Sequence, residues 1–230
     1  MKKLLITFLF LFFLGFGILF WKWFFVPFFL TPNRAHFPHV DTIFFPRKSI
    51  IPITASSWAM LFLEKAKEQI WVVKTYDHGN GYYSNGGFPP SDTGVCSDVI
   101  WRAYRDMGID FHAIFQKDVE RHPLLYEGDL DSNINYRRVK RLQMYFSRTA
   151  KILTNSIIPN NLENLTEWQP GDIVVFDVLQ SNHLWHIGMI SDIRGGDGVP
   201  YMLDNHGDGV GITITPLDWP TKVVGHFRPF

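Results

Sequence analysis

Apolar residues follow different patterns in successive parts of this chain. From Leu4 to Leu30 they run almost without a break, with Lys22 as the one charge. At 1.5 Å rise per residue, about 20 such residues cross a bilayer core. The pattern therefore predicts one transmembrane helix within residues 1–30. The stretch 31–53 holds Pro32, Pro38, Pro46 and Pro52 with little periodicity, and reads as a linker. Helical spacing begins after Ser56 and Ser57, which can cap a helix with Met60, Leu61, Leu63 and Ile70 as its apolar positions. Tyr76 to Val95, with five glycines and the adjacent Pro89 and Pro90, reads as a long functional loop without regular structure. A helix is then expected from Cys96 to Met107, stopped by Gly108, and another from Tyr136 to Arg148 with Val139, Leu142 and Phe146 on one face and its basic residues solvated.

After Pro170-Gly171 the period shortens to that of strands. Asp172 to Phe176, His186 to Ser191, Tyr201 to Asp204, Gly211 to Thr215 and Lys222 to Phe227 are separated by segments rich in Gly, Asp and Asn. Helices first and short strands afterwards predict an α+β domain over residues 54–230, with helices packed on an antiparallel sheet.

Composition narrows the functional classes. The formal net charge is zero and no Lys/Arg run is present, so the electrostatic footprint of a nucleic-acid binder is missing. No alanine precedes Ala35, and the apolar stretch passes through Trp21 and Trp23 rather than a small-residue cleavage pattern, so an uncleaved anchor is expected. Lys2 and Lys3 argue for a cytoplasmic N-terminus, which would place the domain outside the inner membrane, in the periplasm or at the cell exterior.

Cys96 is the sole cysteine and stands at the start of a predicted helix, directly after the Gly-rich loop. The first helical turn leaves backbone N–H groups unpaired and carries partial positive charge, an environment that favours thiolates. A cysteine nucleophile needs a base within hydrogen-bond reach, and the base needs a third group to orient it. His186 opens a strand and Asp204-Asn205 close the next one. Neighbouring strands lie about 4.8 Å apart, so either residue could face the imidazole.

These motifs resemble a known group. Tyr83-x-x-Gly-Gly, Cys96-Ser on a helix, Pro170-Gly-Asp followed by apolar residues, and His186-Ile-Gly-Met resemble the NlpC-type papain-like cysteine peptidases of bacterial cell walls. More closely, Gly94-Val-Cys-Ser-Asp-Val, Arg102-Ala-Tyr-Arg, Gly108-Ile-Asp, Arg137-Arg-Val, Gln169-Pro-Gly-Asp-Ile-Val, His186-Ile-Gly and Gly225-His-Phe-Arg resemble the bacterial family called domain of unknown function 1287. The resemblance implies a papain-like fold with Cys96 as nucleophile, His186 as base and a third polar residue on the following strand. That third position departs from the pattern: the chain has Asp204-Asn205 where the family tends to show His-Asn. Asn133-Ile-Asn-Tyr-Arg-Arg departs too, so no role is assigned to Asn135 or Tyr136.

The reading is a membrane-anchored, cysteine-dependent amide hydrolase acting on peptidoglycan peptides, in which Cys96 attacks, His186 transfers the proton and Asp204 orients His186. Tyr83, Asp98 and Asn205 are candidates for substrate binding or oxyanion stabilisation, with the Cys96 backbone N–H as one oxyanion donor. No cofactor is expected. Two other classes stay open: a non-catalytic binder of wall peptides, and an amidase directed at acyl or thioester groups, since fold does not fix function. His183, His186, Asp204, His206 and His226 could in principle ligate zinc, but their spacing on loop and strands is not that of a zinc motif. Asp204-Asn-His-Gly-Asp-Gly lacks the alternating ligands of a helix-loop-helix calcium site.

Overall fold

The computed structural model describes residues 51–77, 87–126, 128, 130–177 and 186–230. The predicted anchor at residues 1–30 and most of the linker lie outside them. No helix among the described residues is long and apolar enough to cross a membrane. All of the described residues fall within one compact unit, Phe44–Phe230.

Among the described residues, five α-helices and a six-stranded sheet form an α+β domain. Helix α1 (Ser57–Lys67) begins at Ser56, whose hydroxyl accepts the Ala59 N–H, and buries Ala59, Phe62, Leu63 and Ala66. This differs from the expected face: Leu61 is 41% exposed. Positions 59, 62, 63 and 66 follow the i, i+3, i+4, i+7 stripe, and two alanines on it hid the stripe from a search for large apolar residues. After a 3₁₀ turn at Glu68–Trp71, strand β1 (Thr75–Tyr76) pairs in parallel with β2 (Thr93–Gly94), tying the two ends of the Gly-rich segment together where none of it was expected to be regular.

Helix α2 (Cys96–Asp106) follows directly. Helix α3 (Phe111–Arg121), absent from the sequence-based expectation, starts at Asp110, whose carboxylate accepts the Ala113 N–H, and buries Phe111, Phe115 and Val119. A 3₁₀ turn at Asn135–Arg137 precedes α4 (Val139–Thr149), where Val139, Leu142 and Phe146 are buried as the spacing predicts. Its basic residues are not all solvated. Arg141 is buried and donates to Asn135 Oδ1. After β3 (Lys151–Ile152), a short helix α5 (Leu162–Thr166) leads into the sheet.

Strands β4 (Ile173–Phe176), β5 (His186–Arg194), β6 (Pro200–His206), β7 (Gly209–Ile214) and β8 (Val223–Arg228) join β3 in the order β3-β8-β4-β5-β6-β7, antiparallel throughout. Strand alternation divides the sheet's side chains between two cores. Ile173, Val175, Ile187, Met189, Leu203 and Phe227 pack with the helices. Val174, Phe176, Ile190 and Met202 pack on the other face with Trp168 and Ile214. Each fully buried side chain of this size contributes about 1.5–3 kcal/mol.

The end of the expected linker already belongs to the domain. Ile51 packs with Leu165 and Val199, and the Thr54 N–H donates to Gln169 Oε1 at 2.7 Å. Gly171, in the Pro170-Gly171-Asp172 turn, has φ +85°, and a Cβ there would lie 2.5 Å from the Ala59 carbonyl oxygen. Only glycine lets α1 and the start of β4 approach so closely.

Candidate active site

The site is assembled where the N-terminus of α2 meets the ends of β5 and β6. Cys96 is the first residue of α2 and is 3% exposed. The backbone N–H groups at the first helical positions have no intrahelical acceptor, which makes the Cys96 N–H a donor suited to an oxyanion. The cap is built by Asp98, whose Oδ2 accepts the Val95 N–H at 2.7 Å.

Asp98 is fully buried, and its charge is matched by Arg137, with Nε to Oδ1 at 2.6 Å and Nη2 to Oδ2 at 2.8 Å. A buried carboxylate needs such a bidentate partner, because desolvation otherwise outweighs any benefit. Arg137 also donates to the Gly87 carbonyl at 3.0 Å, and its own carbonyl accepts the Ser97 hydroxyl at 2.6 Å. Arg102, one turn further along α2, donates to the Pro90 and Thr93 carbonyls at 2.7 and 2.6 Å. These bonds fix the chain on both sides of the thiol. Asp98 is thus occupied with the cap and Arg137.

His186 is the first residue of β5 and is 5% exposed. Its Nε2 lies 2.6 Å from Asp204 Oδ2. A carboxylate only accepts, so the ring donates from Nε2 and Nδ1 is left for another group; Cys96 stands close enough to the ring to influence its protonation. Asp204 faces the ring because β5 and β6 pair as Met189↔Leu203 and Ile190↔Met202. Residues 186, 188 and 190 consequently share a face with 202, 204 and 206. Gly188 opens room on that face, since a Cβ there would lie 3.3 Å from the Asp204 Cβ and 2.4 Å from Met202 Sδ.

Alternation sends Asn205 the opposite way. Its Nδ2 donates to the Gly94 carbonyl at 2.9 Å, so it anchors the strand that delivers Cys96.

The electrostatics follow from this packing. Burial disfavours the charged His186 ring, yet the electrostatic influence of the nearby Cys96 and the hydrogen bond with Asp204 outweigh it and raise its pKa from 6.5 to about 9. Burial alone would raise the Asp204 carboxyl. Hydrogen bonds from His186 and from His206, whose Nδ1 lies 2.8 Å from the same Oδ2, instead hold it below its ordinary value. The Trp219 indole lies flat on the His186 ring, with centroids 3.8 Å apart and an interplanar angle of 10°, shielding the ion pair from water.

Tyr76, Arg137 and Trp219 were not read as site residues from sequence, and His206 was weighed only as a possible zinc ligand. Tyr76 ends β1 beside Cys96, and its hydroxyl is shifted upward by burial first and then by its closeness to Cys96. Its position at the entry to the Gly-rich segment was the available signal. Tyr83, the tyrosine chosen there, lies outside the described residues.

Among the described residues no group of three or more His, Cys, Asp or Glu is placed to hold a metal ion. His183 lies outside them. His226 is buried far along the chain's last strand, stacked on Trp168 and donating from Nδ1 to the Thr154 carbonyl. Asp204, Asn205 and His206 end β6, and Gly207-Asp208 connects it to β7, with His206 paired to Gly209. A cavity of about 500 Å³ lined by Phe88, Trp101 and Arg105 sits elsewhere: position 101 is turned about 140° from position 96 around α2.

The fold and site define an α+β protein with a buried imidazole hydrogen-bonded to a carboxylate and close to a buried thiol. The chain belongs to the family described as Domain of unknown function (DUF1287), whose model matches residues 63–229. It is similar to the uncharacterized protein YijF of Escherichia coli (strain K12), with 32% identity over 188 residues, covering 79% of this chain and 86% of that protein. No solved structure matches the chain.

Proposed function

We propose that this chain is a cysteine-dependent amide hydrolase with a papain-like, NlpC-type fold, held in the inner membrane by its N-terminal segment and acting outside it on peptidoglycan peptides. The observation that carries the reading is the buried imidazole of His186, hydrogen-bonded to the Asp204 carboxylate at 2.6 Å and close to the buried Cys96 at the start of α2. Nucleophilic catalysis by a thiol needs this order of groups.

In the proposed cycle the Cys96 thiolate attacks the substrate carbonyl carbon, forming a C–S bond while the oxygen takes up negative charge beside the Cys96 N–H. The protonated His186 gives its proton to the departing nitrogen as the C–N bond breaks. The amine leaves and a thioester remains. Water then attacks the thioester, its proton passing to His186, and the C–S bond breaks to return the thiolate and release the acid. Asp204 holds Nε2 throughout, so Nδ1 stays directed at the reacting atoms. The placement outside the membrane rests on the apolar stretch at residues 1–30 with Lys2 and Lys3 before it.

The test is incubation of the full chain in detergent micelles with purified muropeptides, following release of free amines and shortened products. Wild type is expected to cleave, and Cys96→Ala or iodoacetamide treatment to abolish cleavage while chelator leaves it intact. Retained wall-peptide binding with no turnover of any amide would overturn the hydrolase in favour of a binding module. Loss by chelator with resistance to iodoacetamide would replace it with a metallohydrolase. Cleavage of acyl thioesters but not of muropeptides would move the substrate class.

A further inference from the structure

The sequence of β6 places a second imidazole two residues beyond Asp204. Residues two apart on a strand share a face, so His206 returns to the side on which Asp204 meets His186. Its Nδ1 lies 2.8 Å from Asp204 Oδ2, the oxygen that already accepts from His186 Nε2 at 2.6 Å. The other oxygen, Oδ1, is buried with no hydrogen-bond partner. The two imidazoles thus converge on one lone-pair region, their ring centroids 6.4 Å apart and nearly perpendicular at 85°. Trp219 closes the arrangement, flat on His186 and edge-on to His206 at 5.9 Å.

Exposure grades across the three groups. By side chain alone, Asp204 is fully buried, His186 is 7% exposed and His206 22% exposed. His206 is therefore the member of the row through which the buried carboxylate communicates with water.

We propose that His206 is a positioning residue for His186: it donates its Nδ1–H to the same Asp204 oxygen, fixes the carboxylate's rotation and withdraws part of its negative charge from the His186 ring. The inference rests on the hydrolase reading only for its consequence, a tuned proton donor at the reacting thiol. The physical reason is competition. A carboxylate oxygen that satisfies two N–H donors stabilises each attached ring less than one that serves a single donor, and interacting sites titrate together. The charged and titratable groups facing His186 are Cys96 from α2 and Asp204 from β6, with Tyr76 of β1 reaching it through the sulfur. His206 meets Asp204, the His186 ring and Trp219.

The experiment is a titration of the His186 ring by proton–nitrogen NMR in the full chain, labelled on histidine and held in detergent micelles, with His186→Gln supplying the assignment. His206→Ala removes the competing donor, and the His186 midpoint is expected to rise by about one pH unit, a tenfold tighter hold on the proton. His206→Asn keeps an N–H close to the place of Nδ1 without an ionisable ring, and the midpoint is expected to stay near that of wild type. A merely structural role would not separate these two variants. An unchanged or lowered midpoint in His206→Ala overturns the proposal, as does an equal rise in both variants. If the midpoint shifts as expected while no variant or wild type cleaves an amide, the coupling stands and the hydrolase reading falls. If wild type cleaves but the midpoint is indifferent to His206, the reverse holds.

Discussion

The proton held by His186 makes a quantitative prediction about stability. Its pKa stands at about 9 in the folded chain against 6.5 for an unperturbed ring. The folded state therefore binds this proton more tightly than the unfolded chain does. The stabilisation is complete below about pH 6.5 and is lost as pH rises through about 9. At about 1.4 kcal/mol for each tenfold difference in proton affinity, the loss amounts to about 3 kcal/mol, a large share of a typical folding free energy. His186→Gln retains an amide donor toward Asp204 but cannot titrate. Urea unfolding of the full chain in detergent, followed by tryptophan fluorescence at steps between pH 6 and 10, should show wild type falling about 3 kcal/mol further than His186→Gln across the window. Parallel curves for the two proteins would refute the argument, because they would mean that the ring gains no proton affinity on folding and is not held between the thiol and Asp204.

Further predictions concern the frame that delivers the thiol. Arg137→Met leaves the Asp98 carboxylate buried without its bidentate partner, which should lower stability by about 3–5 kcal/mol in thermal or urea unfolding. Asn205→Ala removes the 2.9 Å bond to the Gly94 carbonyl, and about 1–3 kcal/mol of stability should go with it. If the proposed hydrolysis occurs, Asn205→Ala should lower kcat more than it raises KM, measured by steady-state kinetics on muropeptides. Gly171→Ala drives a Cβ to within 2.5 Å of the Ala59 carbonyl at a φ of +85°, so its melting temperature should fall by several degrees, whereas Gly108→Ala, with open space around its Cβ and a φ of +79°, should fall less.

Much of this architecture could be read from the chain, and the parts that could not share a physical reason. Strands β4 to β8 announce themselves because short apolar or alternating runs set between Gly-, Asp- and Asn-rich segments are local properties. So does α2, since Gly94 before it and Gly108 after it bracket an amphipathic run. Helix α3 was missed because Phe111, Phe115 and Val119 form one narrow row in a polar segment, though Asp110 was available as its cap. The two-residue strands β1, β2 and β3 carry no period at all. In the site, Cys96 and His186 were legible from their places at the start of a helix and of a strand. Asp204 and Asn205 were not distinguishable from each other until the register of β5 on β6 set the first beside His186 and turned the second toward Gly94. Long-range register is a property of the packed sheet, not of either strand.

Arg137, at the start of a run whose basic residues were expected to be solvated, is buried among charged residues instead. Asp98, Arg102 and Arg137 cluster behind the N-terminus of α2, and their partners are backbone carbonyls of the segment that approaches Cys96 rather than other side chains alone. An apolar core packs tightly but does not specify the rotation of a loop about its own axis. Directional hydrogen bonds do, at the risk that an unmatched group costs several kcal/mol. Here each carbonyl from Gly87 to Gly94 that is held by Arg137, Arg102 or Asn205 removes one freedom of the chain entering α2. Under the proposed hydrolysis such a frame matters, because nucleophilic geometry tolerates displacements of well under an ångström. The buried charges hold the segment that leads into Cys96, and their removal should displace Cys96 before it disturbs the fold of the sheet.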